Sequence, residues 1–229
     1  MAVNSVKFDL GRYNDCMRLI LVRHGQTSWN DSGRAQGHTD IPLDLTGQEQ
    51  ARQLGQAFEG MIVDQVLSSD LTRSVETAEQ VSKAVGVPVT TRPDLRERCF
   101  GEWEGQSFSS VSANLYERAQ KHSISAQEVR PPNGESFLDV WNRLDAVHDD
   151  LRNADGTVVV VSHGGALSLL LAKLLKGTLD TSRAFRFGNT GITELEKRMD
   201  GLFLITRYND VSHLASGKVL SGSLDGVSR

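Results

Sequence analysis

Two short runs of uninterrupted apolar residues, Leu19-Ile20-Leu21-Val22 and Val158-Val159-Val160-Val161, stand out from an otherwise mixed chain. A run of this length without polar alternation predicts a strand buried on both faces, the pattern of a parallel sheet covered by helices. Both runs end abruptly, the first in Arg23-His24-Gly25 and the second in Ser162-His163-Gly164-Gly165. Between them lie segments with apolar residues at helical spacing. One begins at Thr46, where Glu49 completes a capping box, and presents Ala51, Leu54 and Phe58. A second presents Leu71, Val75, Ala78, Val81 and Val85, with Ser69 or Asp70 as its cap. A third, after the stiff turn Arg130–Ser136, places Phe137, Val140, Trp141, Leu144, Val147 and Leu151 on one face. A helix over Ala166–Leu175 follows the second buried strand directly.

Weaker signals fill the remainder. Gln65–Ser68 and Pro88–Thr90 predict short strands, and Gly191–Leu195 and Leu202–Tyr208 alternate as edge strands do. The stretch 25–44 reads as a long polar loop, and long ordered loops tend to be functional. Within it Trp29 reads as a core residue, and Asn30 as either a ligand contact or a turn residue satisfying its own backbone. From Gln106 to Arg130 the pattern loosens into a Ser-rich stretch with a weak helix over Val111–Lys121, predicting an insertion (106–134) that covers a site. Residues 1–16 read as an appended tail, with Met17 as a second candidate start, and the Gly- and Ser-rich end from about Ser216 as a mobile one. One domain over 17–215 is expected.

Composition narrows the class. At 229 residues with 38% hydrophobic and 24% charged content, the chain suits one soluble α/β domain. A net charge of -4 gives no case for nucleic acid or an anionic membrane, so an anion site must be local. No apolar run approaches the ~18 residues that span a bilayer, and a cytoplasmic enzyme is the expectation. Cys16 and Cys99 make no disulfide framework, and the six histidines show no HExxH-like spacing, so neither a metal nor another cofactor is expected.

The chemistry gathers where the buried strands end. In open α/β sheets the ligand crevice lies outside the carboxyl ends of the strands. Parallel neighbours would therefore bring His24 and His163 to one crevice, each beside glycines that admit a ligand to the backbone. Arg73 falls in the first turn of its helix, where an arginine fork adds to the anion preference of the helix N-terminus. The plainer reading is an ion pair with Glu76. The segment Leu95–Gly105 contributes three carboxylates, Glu97, Glu102 and Glu104, which the residues alone do not rank.

The string Leu21–Thr27, followed by Trp29-Asn30, resembles the phosphoglycerate-mutase-like branch of the histidine phosphatase superfamily. Ser68–Ala78, Leu95–Gly105 and the strand ending in His163 continue the resemblance in order, over roughly residues 17 to 210. It implies a three-layer αβα sandwich with a mainly parallel central sheet. It also implies that His24 is a nucleophile, that Arg23, Arg73 and His163 cradle a phosphate, and that Glu97 is the proton donor. Asn30, Gln36, Gly37 and Gly164 match substrate-binding positions. The activity implied is metal-independent hydrolysis of a small phosphorylated metabolite through a phosphohistidine, with one histidine protonated to help neutralise the phosphate; a homodimer is left open. Two alternatives stand beside it: a phosphoglycerate mutase, and a relative that binds phospho-ligands without turnover. Family mutases carry a lysine shortly after the third motif and an Arg-Arg pair in the covering segment. Here Gly105 is followed by Gln106-Ser107-Phe108-Ser109-Ser110, and Arg118, Lys121 and Arg130 stand apart. An esterase would need a GxSxG elbow and a nucleotide hydrolase a GxxxxGK[ST] loop, and the chain has neither.

Overall fold

The computed structural model describes residues 17–214. Both expected tails, Cys16 among them, lie outside the described residues. In chain order the elements are β1 (Arg18–Arg23), α1 (Ser28–Asp31), α2 (Leu45–Ala57), β2 (Gln65–Ser68), α3 (Thr72–Val85) and β3 (Val89–Thr91). Then come α4 (Phe108–His122), α5 (Phe137–Arg143), α6 (Asp145–Asn153), β4 (Thr157–Ser162), α7 (Gly164–Leu174), β5 (Ile192–Lys197) and β6 (Phe203–Asp210). The strands form one sheet in the order β3-β2-β4-β1-β5-β6. The first four in that order are mutually parallel, β5 pairs antiparallel with β1, and β6 antiparallel with β5.

Side chains alternate faces along a strand, so each unbroken apolar run serves two cores. Leu19, Leu21, Val158 and Val160 face Val140, Leu144, Val147, Leu151 and the apolar side of α7. Ile20, Val22, Val159 and Val161 face Leu54 of α2, Phe58 just after its end, and Ala78 and Val81 on α3. The result is the expected three-layer sandwich. Each aliphatic side chain buried this way contributes roughly 1.5–3 kcal/mol. A smaller cluster packs Phe108, Val111, Leu115 and Ala119 of α4 against Ala35, Phe100 and Trp103, which belong to the two loops beside the sheet's carboxyl edge. No helix among the described residues is long and apolar enough to cross a membrane.

Several local expectations are corrected. The capping box at Thr46 does not form: α2 starts at Leu45, and Asp44 caps it by accepting from the Gly47 N–H at 2.8 Å. A carboxylate there also complements the helix dipole; Glu49 instead reaches Arg52 and Gln53. Neither Ser69 nor Asp70 caps α3. Asp40 does so from the distant loop, accepting from the Thr72 backbone at 2.8 Å and from its hydroxyl at 2.6 Å. The single helix expected over Phe137–Leu151 is two, α5 and α6, meeting at Leu144. Leu144 stays fully buried, so the apolar stripe runs through the break unaltered. The weak helix is longer than expected, with Ser107 capping α4 through the Ser110 N–H. The 25–44 loop holds a short helix, α1, and Trp29 on it is half-buried rather than core. Finally, β5 is an interior strand. Its alternation comes from buried Thr193 and from Glu194, which is paired with Arg18 at 2.7 Å and Arg207 at 3.4 Å.

Candidate active site

The register of β1 on β4 sets Arg23 level with Ser162, so the residues that follow, His24 and His163, emerge side by side. The His24 N–H extends the ladder by donating to the Ser162 carbonyl at 2.9 Å. The two rings stand 5.0 Å apart between centroids, tilted by 60°, and both are buried. His24 Nδ1 lies 2.7 Å from the Gly25 carbonyl. A carbonyl can only accept, so Nδ1 carries the proton and Nε2 is left with a free lone pair. His163 occupies the N-cap position of α7 but makes no capping bond; its Nε2 meets Ser69 Oγ at 2.9 Å.

Two arginines flank the pair. Arg23 donates through one guanidinium nitrogen to the Phe187 carbonyl at 2.8 Å. Arg73 enters from the first turn of α3, fully buried, and donates to the carbonyls of Gly37 at 2.8 Å and Thr39 at 3.1 Å. No ion pair joins it to Glu76, whose carboxylate accepts from the Leu43 N–H. Burial lowers the Arg73 guanidinium to about 10, partly offset by Glu97 and Asp40, and it remains cationic at neutral pH. Burial first, and then the charge of Arg73, hold both histidines well below the usual imidazole value. That shift favours the neutral imidazole at His163.

Glu97 is the buried one of the three candidate carboxylates. Its oxygens accept from the N–H groups of Gly165 at 3.0 Å and Ala166 at 3.2 Å, at the start of α7, and from that of Arg98 at 2.9 Å. Its backbone carbonyl accepts from His38 Nε2 at 2.8 Å and from Arg143 at 3.2 Å, which also grips Glu135. Glu102 is exposed and bonds Asn133. Glu104 ties down the other loop, accepting from the backbone of His38, Thr39 and Phe100 and from the Thr39 hydroxyl. Gly37, at φ +56°, lies against that carboxylate with no room for a side chain.

Arg23, His24, Arg73, Glu97, His163 and Gly164, the first residue of α7, thus converge at the sheet's carboxyl edge. The loop residues are engaged in building the loop. Asn30 closes a capping box with Thr27, Gln36 accepts from the Thr27 hydroxyl at 2.9 Å, and the Gly37 carbonyl is held by Arg73. Sequence reading missed His38, Arg143 and Asn189. Asn189 donates to the His24 carbonyl at 2.9 Å and reaches Asn30 at 3.4 Å. Its one signal was a Gly188–Gly191 turn placed just before a strand. Cys99 is half-buried, and burial raises its thiol, which disfavours the reactive thiolate.

Among the described residues, three buried side-chain polar atoms lack a hydrogen-bond partner: Arg23 Nε, Arg73 Nε and His163 Nδ1. A buried polar atom left unmatched costs about 1–3 kcal/mol, so three such atoms close to His24, two of them on cationic arginines, mark a place shaped for an anion.

The family model of the histidine phosphatase superfamily (branch 1) matches residues 19–211. The chain belongs to this superfamily. A Yersinia enterocolitica protein named "Probable phosphoglycerate mutase GpmB" is 32% identical over 212 residues, covering 91% of this chain and 93% of that one. Alpha-ribazole phosphatase from Shigella flexneri superimposes with a TM-score of 0.75 at 30% identity, covering 85% of this chain and 97% of its own. Phosphoserine phosphatase from Entamoeba histolytica, solved with 3-phosphoglyceric acid, gives 0.73 at 30% identity, covering 86% and 98%. Members of the superfamily matched here are thus named both as phosphatases and as a mutase.

Proposed function

We propose that this protein hydrolyses a small phosphomonoester through a phosphohistidine on His24. The observation that carries the reading is the convergence of three unmatched buried atoms, on Arg23, Arg73 and His163, around a histidine whose Nε2 lone pair is free. A phosphoryl group supplies three nonbridging oxygens to such a set, and positioning with electrostatic stabilisation is most of what phosphoryl transfer requires. In the first step Nε2 of His24 forms a bond to phosphorus as the ester P–O bond breaks. The departing alkoxide takes a proton from Glu97, which must hold one in the substrate complex. In the second step Glu97 takes a proton from water, the water oxygen bonds phosphorus, and the P–N bond breaks to release phosphate.

The covering insertion favours hydrolysis over mutase chemistry. Arg130 is bound through both nitrogens of its fork to Asp139, at 2.6 and 2.5 Å, and Arg118 lies over the Trp103 ring at 5.9 Å. Neither forms the adjacent pair that a mutase uses to retain a bisphosphate. The phosphatases among the structural neighbours act on small phosphorylated metabolites by name, and a substrate of that class fits the reading here. A relative that only binds would be expected to lack part of the set, and none of the five residues is missing.

Rapid quench with labelled substrate tests the reading. The expected product is an acid-labile, alkali-stable phosphoenzyme that disappears, together with turnover, in His24→Ala. Label that persists in that variant overturns the assignment. Tight vanadate binding without turnover of any phosphomonoester in a broad panel favours the binding-only relative.

A further inference from the structure

The geometry points to Ser69 as a positioning residue for His163: its hydroxyl donates to Nε2 and so keeps the single ring proton on Nδ1. What Nδ1–H then meets, a phosphoryl oxygen, rests on the phosphatase reading, whereas the wiring behind it does not.

The wiring follows from the inventory of donors and acceptors. A neutral imidazole carries one proton, and the group bonded to one nitrogen determines which nitrogen holds it. Burial and Arg73 keep His163 neutral. Ser69 is itself fully buried, and its N–H donates to the Val161 carbonyl at 3.0 Å, which anchors it to the end of β4 beside the ring. Its Oγ accepts from the Leu71 N–H at 3.3 Å and stands 2.9 Å from His163 Nε2. That nitrogen is the acceptor the fold offers to the Ser69 hydroxyl proton. Were Nε2 protonated instead, the buried hydroxyl proton would lose its acceptor, and Nδ1 would turn a lone pair towards the anion. Ser74 Oγ stands on the same side of the ring but at 3.5 Å. The chain of donors from Leu71 N–H through Ser69 O–H to Nε2 runs in one direction, each bond polarising the next.

The two histidines are thereby set in opposite tautomers. The Gly25 carbonyl, a pure acceptor, draws the His24 proton to Nδ1 and frees Nε2 for attack. The Ser69 hydroxyl, acting as a donor, fills the Nε2 lone pair of His163 and leaves its Nδ1 proton to bind the group under attack. One ring becomes a nucleophile and the other a hydrogen-bond donor. Neither role requires a charged imidazole.

Nitrogen NMR of protein labelled in its histidine rings, with the His163 signals assigned from their loss in His163→Gln, reads the tautomer directly in the resting protein. Expected is a protonated-type Nδ1 and an unprotonated-type Nε2 in the wild type and in Ser69→Thr. Ser69→Ala should move the proton to Nε2 or mix the two forms, while Ser74→Ala leaves it on Nδ1. Vanadate affinity and kcat/KM should fall about tenfold or more in Ser69→Ala, the scale of one hydrogen bond to a charged group, and recover in Ser69→Thr. A wild-type proton on Nε2 overturns the proposal, as does an unchanged tautomer in Ser69→Ala or a shift confined to Ser74→Ala. If the tautomer behaves as stated but no phosphomonoester is turned over, the wiring stands and the phosphatase reading falls.

Discussion

The Glu97 carboxylate rests on the backbone of Gly165, with Oε2 accepting its N–H at 3.0 Å. A Cβ on Gly165 would stand 2.5 Å from Oε1, so the carboxylate reaches this place because residue 165 has no side chain. The helix that begins beside His163 therefore also fixes Glu97, and the proposed proton donor and phosphate ligand share one rigid support.

This contact makes Glu97 testable as an acid. Glu97→Gln should lower kcat on alkyl phosphates by about 10²–10⁴ but affect p-nitrophenyl phosphate far less, since that leaving group hardly needs a proton. Gly165→Ala, by displacing the carboxylate, should reproduce the same leaving-group dependence in weaker form. Glu102→Gln and Glu104→Gln should show none. Equal losses on both substrates in Glu97→Gln would make the residue structural.

The buried histidines predict how stability varies with pH. Each is held neutral in the folded protein and titrates near 6.5 once unfolded. Below that value the unfolded chain binds more protons, so stability falls as pH drops, by up to about 1.4 kcal/mol per pH unit per histidine. Denaturant titrations at pH 7.5, 6.0 and 5.0 (~2.5 units in all) should show this decline. His163→Gln should make it shallower, with the His24 contribution remaining. A slope unchanged by the substitution would exclude His163 as a source of the acid sensitivity.

Asp40 bonds both the backbone and the hydroxyl of Thr72, the residue before Arg73. Asp40→Ala should therefore cost about 0.5–2 kcal/mol as a lost cap. It should also weaken vanadate binding, by loosening the turn that aims Arg73. Chemical denaturation and calorimetric titration measure the two effects separately, and Asp40→Asn should recover most of the stability.

The phosphatase reading predicts poor mutase activity. A coupled assay with 3-phosphoglycerate and added 2,3-bisphosphoglycerate should yield less 2-phosphoglycerate than a parallel assay yields free phosphate. Efficient bisphosphate-dependent conversion exceeding phosphate release would reverse the choice.

The parts of this architecture visible in the chain are those set by local pattern. Buried parallel strands declare themselves because both of their faces are covered, and Arg23, His24 and His163 because they end those strands. What escaped is set by partners distant in sequence. The cap of α3 comes from Asp40, far along another loop, so the nearby Ser69 and Asp70 made convincing decoys. His38 and Arg143 act on Glu97 through its backbone carbonyl, which leaves no trace in residue type. The break at Leu144 is invisible because burial continues across it. Ser69 looked like a cap because nothing local reveals that the histidine following β4 will lie beside its hydroxyl.

The pairing of β1 with β4 also governs when the site comes into being. Strand β1 is made well before β4, and Arg23 further relies on the Phe187 carbonyl beyond α7. A parallel pairing across so long a loop forms slowly, because the chain must close before any contact repays it. A nascent chain that has emerged through α6 already carries His24, Arg73 and Glu97, yet lacks the strand that levels one histidine with the other. Its two arginines would then remain hydrated, unable to enter a core that has not closed. The proposed activity should therefore arrive in a single step, once β4 and the segment through Phe187 have been made.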